Sequence, residues 1–518
     1  MTTVREATIA LLRALDMQTI FGNPGSTELP LFRDFPDDFR YVLGLQESIV
    51  VAMADGYAQA TRNAALVNLH SSAGTGHALG NLFTAFKNQT PLVITAGQQA
   101  RSILSCEPFL FAERATEFPR PFVKWACEPA CAQDVPAAIA RAYYVAMEPP
   151  CGPTFVSIPV DDWDRPCEPI RARRVSAINP GDPAALTDAA DALAIADRPV
   201  IVVGAGVARE QAWDEVIALA ERHNAPVWVA PMSARNSFPE DHRLFAGFLD
   251  AGREKIVARL QGHDLILVLG GPLSLYHVEG FGPHVPEGSR VIQIVDNPAQ
   301  AAWAPDGMAV VANTRLAILS LLAGPLPMER AAPPLRQPAP VLQGMEFSDS
   351  FVMQQIARLR PRGAIVVEEA PSSRGPMHDH LPMLERDTFY TCASGGLGHG
   401  LPAAVGVALA RPSEKVIAIL GDGSSMYAIQ GLWSAVQLGL SISFIIINNG
   451  GYAALASFGR IFGLDKTVGT QLPDIDFCAL AEGQGLSAVR VIDANGLDAA
   501  LAASFSARGS TLVEVVVS

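Results

Sequence analysis

The 518-residue sequence predicts an α/β protein made of three doubly wound parallel-sheet domains. Short β-branched runs alternate with helical patterns along the whole chain, as expected of strand-helix-strand units that bury a parallel sheet on both faces. Two irregular stretches interrupt the alternation, and the length suits about three domains at roughly 150 residues each.

In chain order, Met1 to Asp16 sets Arg5, Glu6, Arg13 and Asp16 among apolar residues. This is the pattern of an amphipathic helix and lacks the unbroken apolar core of a signal peptide, so a cytoplasmic protein is expected. Tyr41 to Gln46 is strand-like, Ser48 to Thr61 helical, and Ala65 to Leu69, Leu92 to Thr95 and Thr154 to Ile158 read as strands. The stretch Asp161 to Pro183, rich in Pro, Arg and Asp, closes a first domain of residues 1–180. A second, 181–340, repeats the pattern at Pro199 to Val203, Val227 to Ala230, Leu265 to Leu269 and Val291 to Val295. Its Gly204-Ala205-Gly206 resembles a dinucleotide loop, but Arg209 stands where the third glycine of GxGxxG belongs, so this domain is expected to pack and not to cradle phosphate. From Ala323 to Val341, six prolines (325, 327, 333, 334, 338, 340) exclude a helix or central strand and mark a linker. The third domain, 341–518, has strands at Ile365 to Glu368, Val416 to Leu420, Ile442 to Ile447 and Leu512 to Val517.

Composition narrows the function classes. Apolar stretches break off before the ~18 residues a membrane span needs, so no membrane association is expected. A formal net charge of −14 with no dense Lys/Arg run argues against nucleic acid as a partner. The cysteines, seven in all, lie scattered from Cys106 to Cys478 without a CxxC pair, so reduced thiols are expected, with no disulfide framework or zinc site.

Two strand ends in the third domain carry chemistry. The run Lys415 to Leu420 leads into Gly421-Asp422-Gly423-Ser424, and the next buried strand ends in Asn448-Asn449-Gly450-Gly451-Tyr452, with a helix expected between them around Tyr427 to Leu438. Ligands of open parallel sheets sit outside the carboxyl ends of strands. Glycines let backbone N–H groups approach a diphosphate, while Asp422 offers a hard anionic oxygen and Asn449 a neutral one, a donor set suited to magnesium. Either motif alone would be an ordinary turn.

Together they match GDG-x24-NN, the thiamine diphosphate fingerprint, and the chain resembles the family of thiamine diphosphate-dependent decarboxylases and synthases. The resemblance implies a pyrimidine-binding, a middle and a diphosphate-binding domain in that order. It implies thiamine diphosphate and Mg²⁺ as cofactors, with the Gly451 carbonyl as a third protein ligand beside Asp422 and Asn449. It also implies a glutamate that promotes proton loss from the cofactor. Leu43-Gly44-Leu45-Gln46-Glu47 followed by Ala54-Asp55-Gly56-Tyr57-Ala58 resembles the family's glutamate segment, so Glu47 takes that part. For an isolated glutamate at a helix start, dipole compensation worth up to about 1 kcal/mol would be explanation enough.

Phe21 to Pro30 (FGNPGSTELP), Asn68 to Gly76 (NLHSSAGTG), Ala96 to Gln99, Pro226 to Pro231 and Gly395 to Gly398 resemble the family's aromatic 2-keto acid decarboxylases, those acting on benzoylformate, along nearly the whole chain. The resemblance implies Ser26 for the substrate carboxylate, His70 for the alkoxide steps and, from the middle domain, His277 for protonating the enamine. Loop serines and histidines more often bond local backbone, and only the surrounding match lifts these above that. Asn23, Pro24, Gly25, Ser372, Gly396, Leu397, Gly421, Gly423, Ser424 and Tyr452 are implied around the cofactor, Leu397 as the prop for its bent form. Pro371 departs from the family pattern. Ala454, Leu455 and Phe458 are expected to line an apolar pocket for an aryl ring. The pair His378 and His380 is expected on a solvated loop, and His77 and His399 lie in glycine-rich segments without an assigned role.

The expected reaction is benzoylformate to benzaldehyde and carbon dioxide through a thiamine ylide and enamine, by a homotetramer, a dimer of dimers with its sites between subunits. A synthase or carboligase of the same family is the alternative. A catalytically silent thiamine diphosphate-binding protein is a third, although such a protein should have lost Glu47, Ser26 or His70.

Overall fold

Residues 1–343 and 347–517, described by a computed structural model, fold around three six-stranded sheets. The expected third domain, 341–518, therefore includes four residues (344–346 and 518) outside the described ones. The first sheet comprises β1 (Thr19–Gly22), β2 (Arg40–Leu43), β3 (Ala65–Leu69), β4 (Leu92–Gln98), β5 (Trp125–Cys127) and β6 (Thr154–Pro159), in the order β2-β1-β3-β4-β6-β5 and parallel throughout. The second comprises β7 (Pro199–Val203), β8 (Val227–Val229), β9 (Phe245–Phe248), β10 (Leu265–Leu269), β11 (Arg290–Val295) and β12 (Met308–Val311), in the order β12-β11-β10-β7-β8-β9. The third comprises β13 (Ile365–Glu369), β14 (Phe389–Thr391), β15 (Val416–Gly421), β16 (Ile442–Asn448), β17 (Ser487–Val491) and β18 (Thr511–Val516), in the order β14-β13-β15-β16-β18-β17.

The central runs β7, β10 and β15 are apolar almost throughout because both sheet faces are covered. In the middle sheet Ile201 and Val203 of β7 enter one buried cluster, while Val200 and Val202 enter another on the opposite face. The strand order reverses between β1 and β3, between β7 and β10, and between β13 and β15. Such switch points leave a crevice outside the carboxyl ends of the flanking strands.

Two compact units are present. One holds Met1–Ser176, Gly344–Arg374 and Ser394–Ser518, and the other Ala177–Gln343 with Gly375–Ala393. In the first unit the helices Glu47–Thr61 and Gly400–Ala410 approach backbone to backbone. A Cβ at Gly56 would come within 2.2 Å of the Ala403 carbonyl oxygen, and one at Gly406 within 1.9 Å of that of Met53. Glycine at both positions is what permits the crossing.

In the second unit the dinucleotide-like loop is spent on packing. Gly204 and Gly206 press against Gly271 and Gly270, and a Cβ at either Gly204 or Gly206 would come within 2.6 Å of backbone. The glycines of this switch point pack against one another. The proline-rich stretch carries no helix or strand from residue 324 to 343, yet Arg330 pins it by donating to the carbonyls of Leu193, Ala194, Ala196 and His223.

Two expectations need correction. The helix expected over 427–438 covers only Gly431–Gln437, and a separate short helix, Asp422–Met426, precedes it. Ser424 and Ser425 turn their hydroxyls back onto the Gly421 carbonyl at 3.0 and 2.7 Å, and the chain turns before the apolar periodicity resumes. His378 and His380 lie on the short helix Arg374–His380 and not in a solvated loop, because the His378 ring stacks on Phe248 with centroids 3.6 Å apart. All seven cysteines are free thiols, and no helix among the described residues is long and apolar enough to cross a membrane.

Candidate active site

The switch point of the third sheet presents Asp422 as the first residue of a helix directly after β15. Its Oδ1 accepts the Gly423 N–H (2.7 Å) and its Oδ2 the Gly451 N–H (2.8 Å), which brings the two motifs together at the ends of neighbouring β15 and β16. The Gly451 N–H also lies 3.3 Å from Asn449 Oδ1. Tyr452 fills the space beside Gly423, where a Cβ would come within 2.3 Å of its ring. Among the described residues no cationic side chain pairs with Asp422, although it is buried and burial pushes its carboxyl pKa up. A buried carboxylate held by backbone N–H groups beside an amide oxygen fits a divalent cation shared with a diphosphate.

Glu47 opens the helix Glu47–Thr61 and is 8% exposed. Gln46 caps that helix through its own side chain, which accepts the Ser48 N–H at 2.6 Å and leaves the Glu47 carboxylate unspent on the backbone. Oε2 lies 3.0 Å from His77 Nδ1, and Oε1 faces Gly74, where a Cβ would come within 3.2 Å. His77, left without a role by the sequence, is thus the direct partner of Glu47.

At the switch point of the first sheet, β1 leads into the loop bearing Ser26 and β3 ends one residue before His70. Ser26 is exposed. His70 meets a group that sequence reasoning passed over: Glu28, 1% exposed, places Oε2 2.9 Å from His70 Nδ1. The same carboxylate accepts the Gly25 N–H (2.8 Å) and the Thr27 hydroxyl (2.6 Å). Gly25 makes room for the imidazole, since a Cβ there would lie 2.0 Å from Nδ1. With Nδ1–H directed at a carboxylate, Nε2 is the nitrogen free to exchange a proton.

Ser372 follows β13, and its Oγ accepts the Ala454 N–H at 3.0 Å, linking that loop to the helix Ala453–Ile461. Ala454 and Phe458 are half-buried on this helix, one turn apart, and Leu455 is exposed. Gly396 and Leu397 lie half-buried in the loop before the helix Gly400–Ala410, with the Gly396 N–H donating to Ser394 Oγ. Asn23 is half-buried and Pro24 exposed in the loop after β1. His277 belongs to the second unit, exposed on the segment after β10, with its N–H donating to the Ala251 carbonyl at 2.9 Å.

Residues 2–117, 186–321 and 372–515 match, respectively, the N-terminal TPP binding, central and C-terminal TPP binding domains of thiamine pyrophosphate enzymes. Over 521 residues the chain is 42% identical to a benzoylformate decarboxylase of Pseudomonas aeruginosa, covering 99% of both proteins. The chain belongs to the thiamine pyrophosphate enzyme family. The three family domains follow one another in the order the sequence implied. The crystal structure of a benzoylformate decarboxylase from Polynucleobacter necessarius superposes on this thiamine pyrophosphate enzyme with a TM-score of 0.98 at 40% identity, covering 100% of this chain and 99% of that one. An acetolactate synthase large subunit of Haemophilus influenzae is more distant, 25% identical over 529 residues, which span 97% of this chain and 92% of the relative.

Proposed function

We propose that this enzyme decarboxylates an aromatic 2-keto acid, converting benzoylformate and a proton to benzaldehyde and carbon dioxide. The observation that carries the reading is the pairing of buried Glu28 with half-buried His70, in the same domain as Ser26 and Glu47. When bound, thiamine diphosphate supplies a carbon nucleophile and a sink for the electron pair released as carbon dioxide leaves. Asp422, Asn449 and the Gly451 carbonyl would hold Mg²⁺. The N–H groups near Gly421, Gly423 and Ser424, with Tyr452, Ser372 and the loop from Asn23 to Gly25, hold the remainder of the cofactor.

The other roles follow from what each side chain can do. Glu47 holds a proton for the cofactor's pyrimidine nitrogen. Leu397, with Gly396, props the cofactor. The Ser26 hydroxyl donates to the substrate carboxylate, and Ala454, Leu455 and Phe458 surround the aryl ring. His70 Nε2 gives a proton to the keto oxygen as negative charge develops there and takes it back as the aldehyde forms. His277 would be the source of the proton that the product carbon takes in place of the carboxylate.

The working assembly is a homotetramer whose sites pair the first domain of one subunit with the last domain of another. The exposed apolar residues Tyr427, Leu455, Phe462 and Val468 around the metal-binding end support cover by a second copy. We place the enzyme in the cytoplasm, in keeping with its free thiols and with the helix Val4–Ala14 being folded into the first domain's core. Its substrate is the two-electron oxidation product of mandelate, so the step belongs after mandelate oxidation.

A panel of 2-keto acids, assayed with Mg²⁺ and thiamine diphosphate for carbon dioxide and aldehyde, tests the reading. Benzaldehyde from benzoylformate is the expected outcome. Acetolactate from pyruvate with no turnover of benzoylformate would overturn it.

A further inference from the structure

Glu369 closes β13 and is 2% exposed, yet none of the proposed steps uses its carboxylate. Oε1 accepts the Gly398 N–H at 2.6 Å and Oε2 accepts the Gly400 N–H, so this side chain grips the chain on both sides of His399, immediately after Leu397. Its main-chain carbonyl accepts the Ser424 hydroxyl at 2.7 Å, which joins the same residue to the turn bearing Asp422. The grip has no slack. Gly398 sits at φ +90°, where a Cβ would come within 2.7 Å of Tyr427 Cβ, and a Cβ at Gly400 would come within 2.6 Å of Glu369 Cβ. The Gly398 carbonyl is held too, by Asn81 Nδ2 at 3.1 Å, and that amide also donates to the Ser48 carbonyl next to Glu47.

A carboxylate buried this deeply is costly unless its surroundings compensate it. Burial pushes the Glu369 pKa up to about 7, opposed by the two backbone N–H groups and the nearby His399. His399, 1% exposed, pairs through Nε2 with Asp55 Oδ2 at 2.6 Å, and Asp55 in turn accepts from Gln59 and Asn88. An expensive group occupies this site, and its two acceptor oxygens are spent on one loop.

We propose that Glu369 is a positioning residue: through Gly398 and Gly400 it fixes Leu397 relative to the Asp422 turn. The inference rests on the family assignment and on Leu397 as the cofactor's prop, not on which keto acid is the substrate. An amide at 369 presents an N–H₂ to one of two N–H donors, so Glu369→Gln breaks one hold and keeps the size. In the Mg²⁺- and thiamine diphosphate-loaded variant, kcat for benzoylformate should fall by ~10–100-fold while KM and cofactor Kd, read by tryptophan fluorescence, stay within about threefold. The near-ultraviolet circular dichroism of the bound cofactor should change as well. In the cofactor-free protein, amide exchange of the segment Ser394–Gly400 should rise by about tenfold or more. Should Glu369→Gln not fold, Asn81→Ala, which frees the Gly398 carbonyl, is expected to shift the same readings in the same direction. Wild-type kcat and cofactor dichroism in a folded Glu369→Gln, or a parallel loss of kcat, KM and Kd, would overturn the proposal. A wild-type enzyme inactive on benzoylformate would refute the substrate reading alone, because dichroism and exchange do not depend on it.

Discussion

The Glu28 carboxylate stands 2.9 Å from His70 Nδ1 and so decides which imidazole nitrogen is left for chemistry. Three donors converge on this carboxylate: the imidazole, the Thr27 hydroxyl and the Gly25 N–H. Glu28→Gln would leave a single acceptor oxygen and turn an N–H₂ toward one of those donors. It would also remove the charge that stabilises an imidazolium. By analogy with other carboxylate–histidine pairs, kcat should fall about 10²-fold or more with cofactor affinity unchanged, as steady-state kinetics and a cofactor titration would show.

Asp422→Asn keeps the shape of the turn and removes the anionic oxygen. Burial pushes the Asp422 carboxyl pKa up, against the backbone N–H groups that lower it, and a divalent cation would add to those N–H groups in favouring the ionised form. Thiamine diphosphate affinity measured with Mg²⁺ by isothermal titration calorimetry should fall about 100-fold in the variant. Wild-type protein stripped with a chelator should show a comparable loss that added Mg²⁺ reverses. Equal affinity with and without Mg²⁺ would remove Asp422 from the metal site.

The crossing of Glu47–Thr61 and Gly400–Ala410 depends on bare backbone. A methyl group at position 56 meets the Ala403 carbonyl at 2.2 Å, and a backbone oxygen cannot swing away as a side-chain end can. Gly56→Ala, otherwise favourable in a helix, is therefore expected to destabilise by about 1–3 kcal/mol through overpacking, read as a lower urea midpoint. An unchanged or raised midpoint would mean that the helices part at little cost.

What was legible in the sequence was what lies close together along it. Asp422 and Asn449 stand directly after strands that neighbour each other in the sheet, so local motif and topology give the same answer. The central strands were equally plain, because burial on both faces leaves apolar runs, whereas the outer strands β5, β9, β12, β14 and β17 were not read. The long-range partners of the buried polar groups were not visible. Glu28 and His70 are 42 residues apart and Asp55 and His399 are 344 apart, and each pair forms only when separate loops or helices meet. Glu28 sits inside FGNPGSTELP, and nothing local separates a carboxylate that orients a histidine from one that caps a turn. The break at Tyr427 was hidden for a different reason: apolar spacing continues across it, while the serine hydroxyls that cause it leave the periodicity untouched.

The middle domain carries its own pH dependence. His223 ends the helix Trp213–His223 with 1% exposure, and Arg330 Nη1 lies 3.3 Å from its Nδ1. Burial, with the Arg330 and Arg222 guanidiniums, pushes its pKa down from 6.5 to about 4. The folded state thus stays neutral where the unfolded chain takes up a proton. Between pH 6.5 and about 4 the unfolded state binds more protons, so this histidine's contribution is full above 6.5 and is lost as pH falls through 4. At 1.36 kcal/mol per unit the loss amounts to about 3 kcal/mol. Carboxylates elsewhere also titrate in that range, and a difference between two proteins removes them. Urea unfolding of wild type and His223→Leu, followed by tryptophan fluorescence at pH 7 and pH 4, should show wild type losing about 3 kcal/mol more than the variant. Parallel pH profiles would mean that His223 accepts its proton in the folded state, and that the Arg330 strap yields to let it do so.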